Sequence, residues 1–204
     1  MAPHKQTPSV SFPNDSISYT VPTWADMMDG IFDISQQITA SNEQYDVIVT
    51  LAKGGLPLSR ILADFLHIPI ILSLGVRFYT GIRETLDKPE IYQDIYPVSG
   101  VAGKKVLLFD DVAETGESLI FGEQYCRALG AESVTTAAVY MKPKTRHIPK
   151  HYAFETTDWI LFPFEIMESV NQLDSRWQEQ GIAAAERQSR FIKIGCKKEW
   201  LNQK

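Results

Sequence analysis

Cysteine is scarce: Cys126 and Cys196 are the two in 204 residues. They form no CxxC pair and show no metal-ligand spacing, which argues against a disulfide scaffold or a structural zinc site. Positive charge is also short, with 20 Lys and Arg against 25 Asp and Glu, a net charge of −5 and a pI near 5.4. A general nucleic-acid binder needs basic surface to displace counterions, so that class of partner is not expected. No apolar run reaches the roughly 18 residues of a membrane span. The amino-terminal MAPHKQTPSVSFPNDS carries no apolar core of an export signal. Repeats and low-complexity tracts are missing. These absences describe a cytoplasmic protein with reduced thiols and with neither membrane nor nucleic acid as partner.

What the chain does have is 44% apolar content, enough for one domain with appendages that buries on the order of 70% of its unfolded surface. Met1 to about Pro22 reads as a loosely ordered arm, with Ser18–Val21 as a short edge strand. Thr23 and Asp26 form a capping-box-like start, after which Trp24, Met27, Met28, Ile31, Phe32 and Ile38 recur at helical spacing. Strands are expected at Tyr45–Leu51, Pro69–Val76, Lys105–Phe109, Ser133–Met141 and Trp159–Phe162, and a helix at Pro57–Leu66. Strands alternating with helices imply an α/β fold, doubly wound around a mainly parallel five-stranded sheet, with ligands at the carboxyl ends of the strands. Residues 77–104 lack periodicity. A loop that long usually binds or covers something.

The most informative stretch is VLLFDDVAETGESL, Val106–Leu119. An apolar strand ends in Asp110 and Asp111, and Glu114, Thr115, Gly116 and Ser118 open a helix. Amides at a helix start, with hydroxyls and a glycine, suit a phosphate, while the acids before them can accept hydroxyl donors or hold a cation. A strand ending in Asp-Asp also occurs in doubly wound phosphoacceptor domains. In Leu51–Gly55, LAKGG, paired glycines let amides face an anion and Lys53 adds charge; a purely structural turn is the other reading. Lys144, Arg146, His147, Lys150 and His151 cluster in one connection and read as a solvated surface.

Together these elements resemble the type I phosphoribosyltransferases, which use phosphoribosyl pyrophosphate (PRPP), and within them the 6-oxopurine enzymes. The resemblance covers roughly Tyr45–Glu165, within a domain at 23–168 that follows the arm at 1–22 and precedes a helical extension at 169–204. It implies the type I fold with a small base-binding hood. By resemblance, Asp110 and Asp111 hold the ribose hydroxyls and contact Mg2+, and Val112, Ala113, Glu114, Thr115, Gly116, Glu117 and Ser118 wrap the 5′-phosphate. Ala52, Lys53, Gly54 and Gly55 bind pyrophosphate, with a cis peptide at Ala52–Lys53. Residues 77–104 form a lid from which Arg83, Tyr79 and Thr80 reach the pyrophosphate.

Lys142 matches the lysine that donates to the purine 6-oxygen. Trp159 and Ile160 match an aromatic-aliphatic pair at the base, and Glu165 closes that segment; a core aromatic is the other reading of Trp159. Glu114 stands where many of these enzymes carry an Asp near purine N7. Glu117 is expected to face solvent or cap the helix. The implied activity is purine salvage: Mg2+-dependent transfer of phosphoribosyl from PRPP to hypoxanthine, guanine or xanthine, by a homodimer or tetramer. The competing reading is a PRPP-sensing regulator of the same fold without turnover.

Overall fold

The computed structural model describes residues 9–81 and 84–201, the side chains of residues 79–88 excepted. Along the chain run β1 (Ser9–Ser11), β2 (Ser18–Thr20), α1 (Trp24–Ala40), β3 (Val47–Ala52), α2 (Leu56–Leu66), β4 (Ile71–Gly81) and β5 (Glu84–Gln93). After a 3-10 turn at Val98–Gly100 come β6 (Lys105–Ala113), α3 (Glu117–Ala128), β7 (Ser133–Met141), β8 (His151–Glu155) and β9 (Trp159–Ile160). Helices α4 (Ile166–Glu179), α5 (Ala184–Lys193) and α6 (Lys198–Leu201) follow. The chain divides into two compact units, one centred on Met27–Thr156 and one built from Gln6–Asp26 with Thr157–Lys204.

The first unit holds a six-stranded sheet in the order β5-β4-β3-β6-β7-β8. Strands β4, β3, β6, β7 and β8 run parallel, and β5 adds an antiparallel edge. The central strands are buried on both faces, which is why they read as unbroken apolar runs. Val47, Val49, Leu51, Val106, Leu108 and Ala138 pack on one side with Leu119 and Cys126 of α3. Fully burying each such Leu or Val contributes about 1.5–3 kcal/mol. Burial also lifts the Cys126 thiol to about 12, so it stays protonated and inert.

Two expectations about this sheet need correction. The fifth parallel strand is β8, whereas the Trp159 strand belongs to the other unit. Residues 77–104 are not a structureless lid: β4 runs on to Gly81 and pairs with β5 in a hairpin whose register shifts three times. Those shifts interrupt the period-two pattern that would have exposed it in the sequence.

The second unit is a three-stranded sheet in the order β1-β2-β9 together with the carboxyl-terminal helices. Residues 9–22 of the expected arm are a structural part of it. Phe12 and Tyr19 are buried with Trp177 and Phe191, and β2 sits centrally, pairing parallel with β9 through Tyr19–Trp159 and Thr20–Ile160. Asp15, its side chain wholly buried, accepts hydrogen bonds from Trp177 Nε1 at 2.7 Å and the Tyr19 hydroxyl at 2.6 Å. The capping box is present as expected: Thr23 N–H donates to Asp26 Oδ2 at 2.7 Å, and Asp26 N–H to Thr23 Oγ1 at 3.2 Å.

Candidate active site

Strands β3, β6 and β7 lie side by side and parallel, so the turns that follow them share one edge of the sheet. That edge is where an open parallel sheet receives its ligand. Strand β6 extends four residues past Phe109, so Asp110, Asp111, Val112 and Ala113 are strand residues, paired with β7 as far as Ala113–Met141. Of the residues 112–118 that the resemblance assigns to phosphate, Glu114–Gly116 form the turn ahead of α3.

Each acid of the pair folds back on the next amide. Asp111 N–H donates to Asp110 Oδ1 at 3.0 Å, and Val112 N–H to Asp111 Oδ1 at 2.9 Å. Burial and the neighbouring Asp111 charge push Asp110 well above the usual carboxylate range. Burial likewise lifts Asp111 to about 6, against hydrogen bonds from Asp110 and Val112 that pull it down. Two adjacent carboxyl groups in this setting resist full ionisation until a cation or a set of hydroxyl donors arrives.

The β3–α2 turn meets this pair directly. A β-carbon on Gly54 would lie 2.5 Å from Asp111 Cγ, so only glycine lets the turn pass. The Ala52–Lys53 peptide is cis, as the resemblance implies. Within the turn the Gly55 N–H already donates to Leu51 O at 3.1 Å, which removes it from the set of anion donors. Sequence reasoning missed Tyr92 on β5, whose hydroxyl donates to Ala52 O at 2.8 Å. The tyrosines of IYQDIYP carry no motif, and the approach of Tyr92 depends on the hairpin.

At the phosphate turn Gly116 takes φ +84°, a left-handed conformation that favours glycine. As the residue before α3 it has no side chain to cap the helix, and the Thr115 hydroxyl reaches Glu117 N–H only at 3.4 Å. First-turn amides therefore stay available to a ligand. Ser118 lies in that first turn. Arg146 N–H donates to Thr115 O at 2.9 Å, laying the basic connection along the turn. Glu114 is exposed and pairs with Lys144 at 3.1 Å, while Glu117 faces Arg146 at 4.0 Å. The connection is not uniformly solvated: His147 Nε2 lies 2.9 Å from Thr136 Oγ1, and His151 is buried against Glu43.

Lys142 follows β7 and is buried at 6% exposure. Its N–H donates to Ala113 O at 3.0 Å, fixing it one residue from the phosphate turn. In the other unit, Trp159 is 37% exposed whereas Ile160 is buried, so only the indole is presented; Glu165 precedes α4. Arg83 lies outside the described residues, as do the side chains of Tyr79 and Thr80.

The family model of the phosphoribosyl transferase domain matches residues 21–168. This chain belongs to that family. Among solved structures, a purine phosphoribosyltransferase from Pyrococcus horikoshii is 32% identical, with a TM-score of 0.62, over 72% of this chain and 92% of that one. A hypothetical protein from Neisseria gonorrhoeae with bound ppGpp is 22% identical, with a TM-score of 0.62, over 76% and 95% of the two chains. A xanthine-guanine-hypoxanthine phosphoribosyltransferase from Helicobacter pylori is 16% identical, with a TM-score of 0.61, over 75% and 96%. The last two show the shared fold. No curated protein matches. The phosphoribosyltransferase assignment accounts for both turns and for the α/β fold around a mostly parallel sheet.

Magnesium fits the donor chemistry of the site. Asp110 and Asp111 are hard oxygen ligands next to each other, and burial makes their charge costly until it is neutralised. Among the described residues no group of three or more His, Cys, Asp or Glu could hold a metal. Two carboxylates would make a partial shell, the kind that a magnesium ion completes with water and substrate phosphate. Among the described residues no helix is long and apolar enough to cross a membrane.

Proposed function

We propose that this protein is a purine salvage phosphoribosyltransferase that transfers the 5-phosphoribosyl group of PRPP to hypoxanthine, guanine or xanthine, releasing pyrophosphate. The observation that carries the reading is the seating of Gly54 against Asp111. It sets residues 52–55 beside the acid pair, which supports reading them as an anion turn, because PRPP carries its pyrophosphate on the ribose carbon next to the 2′-hydroxyl. Asp110 and Asp111 accept hydrogen bonds from the 2′ and 3′ hydroxyls. The amides of residues 115–118 and the positive end of α3 hold the 5′-phosphate, each such helix terminus contributing about 0.3–2 kcal/mol. Lys53 faces the leaving pyrophosphate, and Arg83 with Tyr79 and Thr80 adds donors from the hairpin. Purine N9 attacks ribose C1 as the bond to pyrophosphate breaks. Magnesium, when bound, neutralises charge on the departing phosphates.

Base choice rests on Lys142. The backbone N–H of Lys142 is held to Ala113 O, and its ammonium donates to a 6-oxo acceptor and opposes the adenine amino group. Glu114 is the candidate proton carrier near purine N7 once its ion pair with Lys144 opens. A spectrophotometric assay with PRPP, Mg2+ and each of hypoxanthine, guanine, xanthine, adenine and uracil tests the reading. Nucleotide from at least one oxopurine, with adenine and uracil poor, is expected. No turnover with any base would overturn it, and PRPP binding retained in that case would identify a sensor.

A further inference from the structure

We infer that Tyr92 is a positioning residue for the pyrophosphate turn, a role that rests on the reading of residues 52–55 as that turn. Three features of the β4–β5 hairpin converge on its hydroxyl. Gly75 pairs with Gln93 and Val76 with Ile91, so Tyr92 is the extra residue of a β-bulge. Bulges re-aim a side chain, and they concentrate beside active sites. The ring then occupies the space over Gly75, where a β-carbon would come within 2.6 Å of the ring carbon Cζ. Its outer face is covered by the Arg77 guanidinium, 5.3 Å from the ring centroid, and Arg77 itself pairs with Glu90 across the hairpin at 3.9 Å.

The result is a hydroxyl delivered to Ala52 O at 2.8 Å. Ala52 is the last residue of β3, and its carbonyl belongs to the peptide that leads into Lys53 and Gly54. Holding that oxygen fixes the plane of the peptide whose other end is the Lys53 N–H. It also joins the turn to β5. Tyr92 remains 42% exposed, more than a packing role requires. A phenol at this place is explained by its oxygen.

Removing that oxygen alone tests the role. In Tyr92→Phe, the KM for PRPP should rise about 3- to 10-fold, the size of one neutral hydrogen bond, with kcat and the unfolding temperature unchanged. In ligand-free protein, amide exchange at Gly55, whose N–H donates to Leu51 O within the turn, should quicken by a similar factor while exchange within β7 stays as it was. Tyr96→Phe, at an 86% exposed tyrosine of the same segment, should do neither. Unchanged exchange at the turn overturns the clamp, whether or not the wild type turns over any base. Faster exchange with an unchanged KM overturns the positioning role. A wild type inert with every base removes the enzymatic reading instead, and the exchange result still decides Tyr92.

Discussion

The Asp111 carboxylate stands where a β-carbon on Gly54 would have to go, its Cγ within 2.5 Å of that position. Two turns from different strands thus meet through the absence of one side chain. Gly54→Ala must displace either the acid or the turn. A misplacement of about 1 Å costs on the order of 100-fold in rate, so kcat/KM for PRPP should fall by about that factor. Steady-state kinetics alongside a thermal melt check this: the variant should remain folded, and retention of wild-type kcat/KM would show that the contact is not part of substrate binding.

The acid pair sets a pH dependence. Asp111 carries a folded-state value of about 6, above the unfolded value of about 4. The fold therefore holds this proton more tightly than the unfolded chain does, and stability is lost as pH rises from about 4 to about 6, then levels off. Asp111→Asn removes the cost of that charge. It should stabilise the ligand-free protein at pH 8, by about 1–3 kcal/mol, and give no gain near pH 4. Ligand capture runs the other way, since ribose hydroxyls and a cation favour the ionised pair. PRPP affinity should climb through pH 6 in the wild type. Denaturant unfolding and PRPP titration at pH 4, 6 and 8 measure both trends, and a stability gain that does not vary with pH contradicts the argument.

Much of this was legible in the chain because the parallel strands are buried on both faces and so appear as apolar runs. Val47–Leu51, Val106–Phe109 and Val134–Met141 are of that kind. Asp110, Asp111 and Lys53 stand out because charge directly after such a run has few structural uses, and Gly116 because it opens the helix that follows. Other features had no local signature. Strand β8 is five residues with His151 buried by Glu43 from a distant turn, so its histidine looked like surface. The hairpin hid behind its bulges. Tyr92 and the Gly54–Asp111 contact are long-range relationships, fixed only when the sheet assembles.

Lys142 should govern the choice of base. Lys142→Met keeps length and apolar bulk but removes the ammonium, which suits a side chain that is 6% exposed. With an oxopurine the lost donor should lower kcat/KM about 100-fold or more, while the poor activity with adenine should stay the same or rise. The measurement is the ratio of kcat/KM for hypoxanthine to that for adenine. A ratio unmoved by the substitution would take base recognition away from this residue.

The amino-terminal segment should prove indispensable to the second unit. Burial alone would raise Asp15, but hydrogen bonds from Tyr19 and Trp177, with the Ile17 N–H and the Arg176 charge, bring it below its usual value. A carboxylate depressed in this way contributes stability above its unfolded value, and that contribution disappears as pH falls through the folded value. Asp15→Asn puts an NH2 at one of the two oxygen positions, where it faces either the Ile17 N–H with Arg176 or the Trp177 and Tyr19 donors that share Oδ2, and at least one donor is left unmatched. The expected loss is about 1–3 kcal/mol at pH 7, shrinking in acid. The fluorescence of the tryptophans should shift to the red at lower denaturant than in the wild type, because Trp177 is buried against Phe12, Tyr19 and Phe191. An unchanged midpoint would return residues 9–22 to the status of a dispensable arm.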